Sequence, residues 1–248
     1  MDIKHKKAII LMLLIICSAS GILFYSFNKK IESKSKEIIE IKEKSEEESL
    51  KTENKLQEEK SQEIEETKEK IEDKICIDPG HQLKGNSETE EIAPGSNQRK
   101  AKVADGAAGT LTKKNEYELT LEVGLKLRDA LKAKGYPVYM IRETHDVNIS
   151  NKERAEKANS MGCEAYIRIH ADGINNSSTN GVSVLTASAK NPYTKDVQRP
   201  SEKLSRDILS EYVKATGAKN RGISYRDDLT GTNWSKVPTT LIELGFMS

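Results

Sequence analysis

Three apolar, strand-like runs in this chain each carry a residue that can hold or serve a metal. KICIDPGH closes on His81, EAYIRIHADG contains His170, and VPTTLIELGF contains Glu243. Open α/β sheets bind their substrates beyond the C-terminal ends of their strands, so polar groups delivered there share one crevice. The chain has only 4 histidines, and two of them stand at these ends. Two imidazoles and a carboxylate make the three-ligand set of a catalytic zinc, with a fourth position left for water.

The third ligand should be a carboxylate. Glu116 and Glu118 both stand at the start of a helical pattern, where acids are also favoured by the helix dipole, and spacing alone does not separate them. Glu243 is different, because it interrupts the apolar run Thr240–Phe246. A carboxylate buried there must be paired, metal-bound or protonated. As a base it would take a proton from water and pass it to a leaving amine, a task suited to a pKa near neutrality. A metal that acidifies water and polarises a carbonyl then makes amide hydrolysis the natural chemistry. Arg154 and Trp234 are weaker candidates for substrate contact. Arg154 could orient an acid or pair within its helix, and Trp234, the one tryptophan, could pack against substrate or at the core edge. His145 has no strand-end placement and is left out of the site.

The elements that must position these groups alternate in type. Strands are expected at 74–78, 136–142, 165–170, 181–186, 221–225 and 237–244, with helices at 115–134, 150–161 and 201–216. Leu119, Val123, Leu127 and Leu131 recur at helical spacing, Ser150 is a plausible cap, and Gly135 and Gly217 close helices. The alternation predicts an α/β fold: a mainly parallel mixed sheet with helices on both faces. The polar stretch from Gly85 to Gly109 is expected to be a long loop forming one wall of the groove. Residues 75–248 form the folded domain, with 25 Lys and Arg against 22 Asp and Glu. That weak basicity argues against a nucleic-acid partner. Cys76 and Cys163, in or beside core strands, read as free buried thiols, with a disulfide between them as the alternative in an exported protein, for which sequence gives no distance.

The first 74 residues are of another kind. Ala8 to Phe27 is a charge-free apolar run of 20 residues, about the length that spans a membrane, and Lys4, Lys6 and Lys7 before it favour a cytoplasmic N-terminus. Residues 1–28 are therefore expected to be a retained transmembrane anchor holding the domain outside the cytoplasmic membrane, with secretion after signal cleavage as the alternative. Residues 29–74 hold 12 lysines and 16 acids without glycine, proline or aromatic residues. Their isolated Ile and Leu keep no heptad register, so this segment reads as a charged helical or disordered stalk rather than a sustained coiled coil.

Taken together, these segments resemble the zinc-dependent N-acetylmuramoyl-L-alanine amidases, peptidoglycan hydrolases that cut between the lactyl group of the glycan and the stem peptide. The resemblance spans Lys74 to Ser248. It rests on Ile77-Asp78-Pro79-Gly80-His81, on Asn115-Glu116-Tyr117-Glu118-Leu119 opening the long helix, on Ile167-Arg168-Ile169-His170-Ala171-Asp172-Gly173, on Leu241-Ile242-Glu243-Leu244-Gly245-Phe246, and on the Arg154-containing helix. It implies zinc held by His81, Glu116 and His170, with Glu243 as the catalytic base, and peptidoglycan as substrate. Members of the family usually continue beyond the Gly-Phe segment, so the resemblance implies either a shortened sequence or a catalytic domain that lacks a closing element. No wall-binding repeat is present in the sequence, and no activator protein is identified. The rival readings are an inactive wall-binding or division scaffold, which would lack a ligand or the base, and a zinc peptidase acting on stem peptides.

Overall fold

The computed structural model describes residues 72–247. The anchor expected at 1–28 and nearly all of the stalk expected at 29–74 lie outside the described residues, among which no helix is long and apolar enough to cross a membrane.

The described chain builds β1 (Ile75–Pro79), β2 (Asn86–Glu91), β3 (Arg99–Val103), α1 (Glu116–Ala133), β4 (Val138–Met140), α2 (Asn151–Ser160), β5 (Ala165–Asp172), β6 (Val182–Thr186), α3 (Gln198–Thr216), β7 (Asn220–Tyr225), the single turn α4 (Thr230–Asn233) and β8 (Thr239–Phe246). Six strands form one sheet in the order β4-β1-β5-β8-β6-β7. All its neighbours are parallel except β6 and β8. The mainly parallel mixed sheet is as the alternation of patterns predicts.

Side chains of successive strand residues point to opposite faces, and the two faces differ. Ile77, Ile169, Val182, Val184 and Ile242 form one apolar cluster, packed by Val123, Leu127 and Leu131 of α1 and by Ile208, Leu209 and Tyr212 of α3. On the other face Cys76, Ile141 and Tyr166 pack with Ala155 and Ala158 of α2 and with Trp234. Helices therefore cover both faces. Ser150 caps α2, its hydroxyl accepting from the Glu153 amide while the Glu153 carboxylate accepts from the Ser150 amide. Gly135 (φ 88) and Gly217 (φ 68) turn the chain out of α1 and α3.

Two expectations are corrected. Cys76 and Cys163 are not free thiols: they form a disulfide across 87 residues, with their Cα atoms 5.8 Å apart. Only the folded register of β1 beside the loop before β5 brings them together. The polar stretch from Gly85 to Gly109 is not merely a loop, because it contains the antiparallel hairpin β2–β3. Its strands read NSETEE and RKAKV, with no apolar alternation to announce them. Cross-strand pairs such as Lys102–Glu88, 2.7 Å apart, occupy the places where apolar side chains would be sought.

Candidate metal centre and active site

Strands β1, β5 and β8 are parallel neighbours, so their C-terminal ends open on the same edge. His81 follows β1, His170 lies near the end of β5, and Glu243 stands opposite His170 in the β5–β8 register. Glu116 reaches the same place from the first turn of α1. His81, Glu116 and His170 form a cluster of metal-ligating groups. Their donor atoms make a compact triangle: His81 Nε2 to Glu116 Oε1 is 3.0 Å, and His170 Nδ1 is 3.1 Å from each of the other two. Ligands of a tetrahedral zinc with bonds of about 2.0–2.1 Å stand roughly 3.3 Å apart, so the triangle fits such an ion with little adjustment.

The surroundings orient His81 and Glu116, while the far nitrogen of His170, Nε2, is buried without a partner. His81 Nδ1 donates to the carbonyl of Ala104 at 2.8 Å, which puts the free lone pair on Nε2, facing the cluster. Glu116 accepts from the backbone amides of Ala107 (2.8 Å) and Ala171 (3.0 Å). Burial opposes its ionisation, but the adjacent imidazoles of His170 and His81 outweigh it and hold this carboxyl well below the usual range. Burial, aided by the neighbouring His81, pushes His170 down to about 4, so it is neutral and able to bind metal at ordinary pH. Glu118 is used otherwise. Its carboxylate accepts from the amide and side chain of Asn115 at 2.8 and 3.0 Å and caps α1. Of the two acids, it is Glu116 that stands beside both histidines.

Glu243 has the environment of a proton carrier. Its Oε2 is buried without a hydrogen-bond partner, and burial, followed by the charges of Glu116 and Asp172, pushes its pKa up to about 8. Close packing leaves no slack around the cluster. A Cβ added at Gly80 would lie 2.4 Å from the His170 ring, and one at Gly106 would lie 2.8 Å from His81. The glycine before His81 is required for that close approach, while the left-handed backbone falls on His81 itself, at φ 59.

A groove of about 330 Å³ opens beside the cluster, lined among others by His81, His170, Asn151, Arg168, Lys100 and Asp228. The β2–β3 hairpin supplies one wall. Lys100 of β3 is tied across it to Asp228, Nζ to Oδ2 at 2.5 Å and to the carbonyl at 2.8 Å. The expected groove wall is there, built from strands.

Neither of the weaker candidates faces this groove. Arg154 is fully buried, pairs with Asp78 at 2.6 Å, and has no surface on which to meet substrate. Trp234 donates Nε1 to the carbonyl of Glu91 at 2.9 Å and lies under Lys152, whose Nζ is 4.0 Å from the ring centroid. It borders a different cavity, with Tyr193 and Asn159. Sequence reasoning missed the buried charges beneath the site. Asp78 accepts from Arg154, from Arg168 Nε at 3.0 Å and from the Tyr166 hydroxyl at 2.8 Å. Those two arginines hold its carboxyl far below the usual range despite complete burial. Alternating charge within the apolar runs of β1 and β5 was the available signal, since Asp78 and Arg168 each interrupt one.

Residues 75–248 match the family model described as N-acetylmuramoyl-L-alanine amidase. N-acetylmuramoyl-L-alanine amidase Rv3717 of Mycobacterium tuberculosis is 30% identical over 182 residues, covering 70% of this chain and 73% of that protein. The probable cell wall amidase LytH of Staphylococcus aureus is 30% identical over 175 residues, 70% of this chain and 48% of the relative, so this chain spans about half the length of that protein. Among solved structures, the N-acetylmuramyl-L-alanine amidase Ami1 of Mycobacterium smegmatis superposes with a TM-score of 0.64 at 26% identity, over 72% of this chain and 84% of that one.

Proposed function

We propose, on the premise that this chain belongs to the N-acetylmuramoyl-L-alanine amidase family, that it hydrolyses the amide between N-acetylmuramic acid and L-alanine in peptidoglycan with one zinc ion held by His81, Glu116 and His170. The observation that carries the reading is the triangle of donor atoms at 3.0–3.1 Å beside the unpartnered, buried carboxyl of Glu243.

When bound, zinc supplies Lewis acidity to the scissile carbonyl and to the attacking water. The chain's own residues do the rest. His81, fixed by Ala104, and Glu116, fixed by two backbone amides, orient the donor set. Glu243 Oε2 takes the proton from water as its oxygen adds to the lactyl carbonyl carbon. It then delivers that proton to the alanine nitrogen as the C–N bond breaks, leaving a lactyl carboxylic acid and a free amine, which become carboxylate and ammonium as the acid's proton passes to the amine. The positive charge of a dication beside Glu243 favours its carboxylate form, which suits it to act first as base. An inactive scaffold would lack one of the four groups, and all four are present.

The compartment is part of the proposal. The apolar run Ala8–Phe27 would anchor the protein in the cytoplasmic membrane with the catalytic domain outside. The Cys76–Cys163 disulfide supports an oxidising, extracytoplasmic setting. The reaction is tested by digesting purified peptidoglycan and sequencing the released ends by mass spectrometry. The expected products are stem peptides with a new N-terminal L-alanine, lost on chelation and restored by zinc. New termini inside the stem would instead make the protein a peptidase.

A further inference from the structure

The turn Pro79–Gly80–His81 leaves β1 and presents His81, and its three successive carbonyls point into two buried guanidiniums. Arg142, in the segment after β4, donates Nε to the carbonyl of Pro79 and Nη2 to that of Gly80, both at 2.9 Å. Arg154 donates Nη1 to the same Pro79 carbonyl and Nη2 to that of His81, both at 3.0 Å. Arg142 Nη2 also reaches the carbonyl of Tyr117 at 2.8 Å. One guanidinium thus joins the carbonyl of the residue before His81 to the carbonyl of the residue after Glu116.

This is a costly arrangement. Arg142 is 2% exposed and Arg154 is 0% exposed. Among the described residues no carboxylate hydrogen-bonds Arg142, whose acceptors are carbonyls and the Thr120 hydroxyl. A buried cation without a paired anion is unfavourable, and the neighbouring Arg154 adds like charge. Apolar packing alone would not need either. What the pair supplies is direction: five-donor forks of fixed geometry hold carbonyls at set angles. The residue they flank, His81, has φ 59, a left-handed conformation that a side chain disfavours and that persists only where the surroundings enforce it.

We infer that Arg142 and Arg154 are positioning residues, a paired clamp on the Pro79, Gly80 and His81 carbonyls that holds His81 in its left-handed backbone and so keeps its Nε2 in register with His170 and Glu116. The inference rests on the reading of those three residues as zinc ligands. Arg142→Lys keeps the charge, but one ammonium cannot span the carbonyls of Pro79, Gly80, Tyr117 and Thr144.

The test compares the full chain with Arg142→Lys, Thr120→Val and Leu209→Ala. Thr120→Val removes the hydroxyl that donates to Gly80 at 2.8 Å, and it carries the test if Arg142→Lys does not fold. Leu209→Ala opens a cavity in the apolar cluster under α3, with no hydrogen bond to the turn Pro79–His81. Zinc affinity is read by competition with a chromogenic chelator, alongside metal-free melting temperature and the split of kcat and KM at saturating zinc. Arg142→Lys should weaken zinc about tenfold or more, as loss of outer-sphere support typically does, and lower kcat with KM little changed. Thr120→Val should shift both in the same direction by less. Leu209→Ala should lower the melting temperature with zinc affinity unchanged. Wild-type zinc affinity in both Arg142→Lys and Thr120→Val overturns the clamp alone, as does a loss that Leu209→Ala shares. A wild-type chain that binds no zinc overturns the ligand reading and the clamp with it.

Discussion

On the α1/α3 face of the sheet, Ile77, Ile169, Val184 and Ile242 meet Leu209 in an apolar cluster. On the α2/α4 face, reached by moving one residue along the same strands, stand Cys76, Asp78, Tyr166, Arg168, His170 and Glu243. The first face is held by area removed from water, which is strong but has no preferred direction. The second is held by a disulfide, buried ion pairs and the carbonyl-directed guanidinium of Arg154, which fix angles as well as distances. Of the proposed reacting groups, His170 and Glu243 stand on the second face, His81 follows in the turn after β1, and Glu116 reaches them from α1. Directional contacts thus dominate the face that carries the paired His170 and Glu243.

That contrast can be broken by substitution on either side. The largest effect is expected from Asp78→Ala, which strands Arg154 and Arg168 without their shared anion. Removing one partner of a buried pair costs about 3–5 kcal/mol, and calorimetry should show that loss together with weakened zinc binding. Leu209→Ala should cost about 3 kcal/mol through transfer and cavity effects while leaving zinc binding intact. If both variants lose zinc alike, the faces are not separate in function. Reduction of Cys76–Cys163 releases a constraint across 87 residues and should cost about 2–4 kcal/mol, visible as a lower melting temperature in dithiothreitol. The smallest effect concerns pH. In the metal-free fold Glu243 keeps its proton up to about 8, against 4.5 for an ordinary glutamate. The folded state therefore binds more protons than the unfolded chain between those values, and stability falls as pH rises through them. Glu243→Gln should flatten that slope and stabilise the metal-free protein at pH 8 by on the order of 2 kcal/mol, about half of what the full shift implies because the group is partly solvated.

Much of the second face was legible as a set of interruptions. His81, His170 and Glu243 are polar residues at the ends of apolar runs, and period-two alternation puts them at the mouth of a parallel sheet without any structure. Glu116 was legible only as one of two acids, because a helix's first turn favours both. The choice between them came from Glu118 folding back on Asn115, a contact invisible to spacing. The disulfide was legible only as an alternative to free thiols, and the clamp was not legible at all. Cys76 and Cys163, like Arg142 and Pro79, meet only through the register of β1 with its neighbours. The β2–β3 hairpin was hidden for a different reason: its strands are solvated and carry charge where a core-facing strand would carry apolar side chains.

The central claim is that Glu243 moves the proton that cleaves the amide at a zinc held by His81, Glu116 and His170. It is tested most directly by measuring bound zinc and the release of stem peptides with N-terminal L-alanine for the wild type and for Glu243→Gln. Equal zinc content and a cleavage rate about 10²–10⁴ lower are expected in the variant, the span for loss of a general acid–base. A zinc-loaded Glu243→Gln protein that cleaves within about tenfold of the wild type, far inside that span, would contradict it.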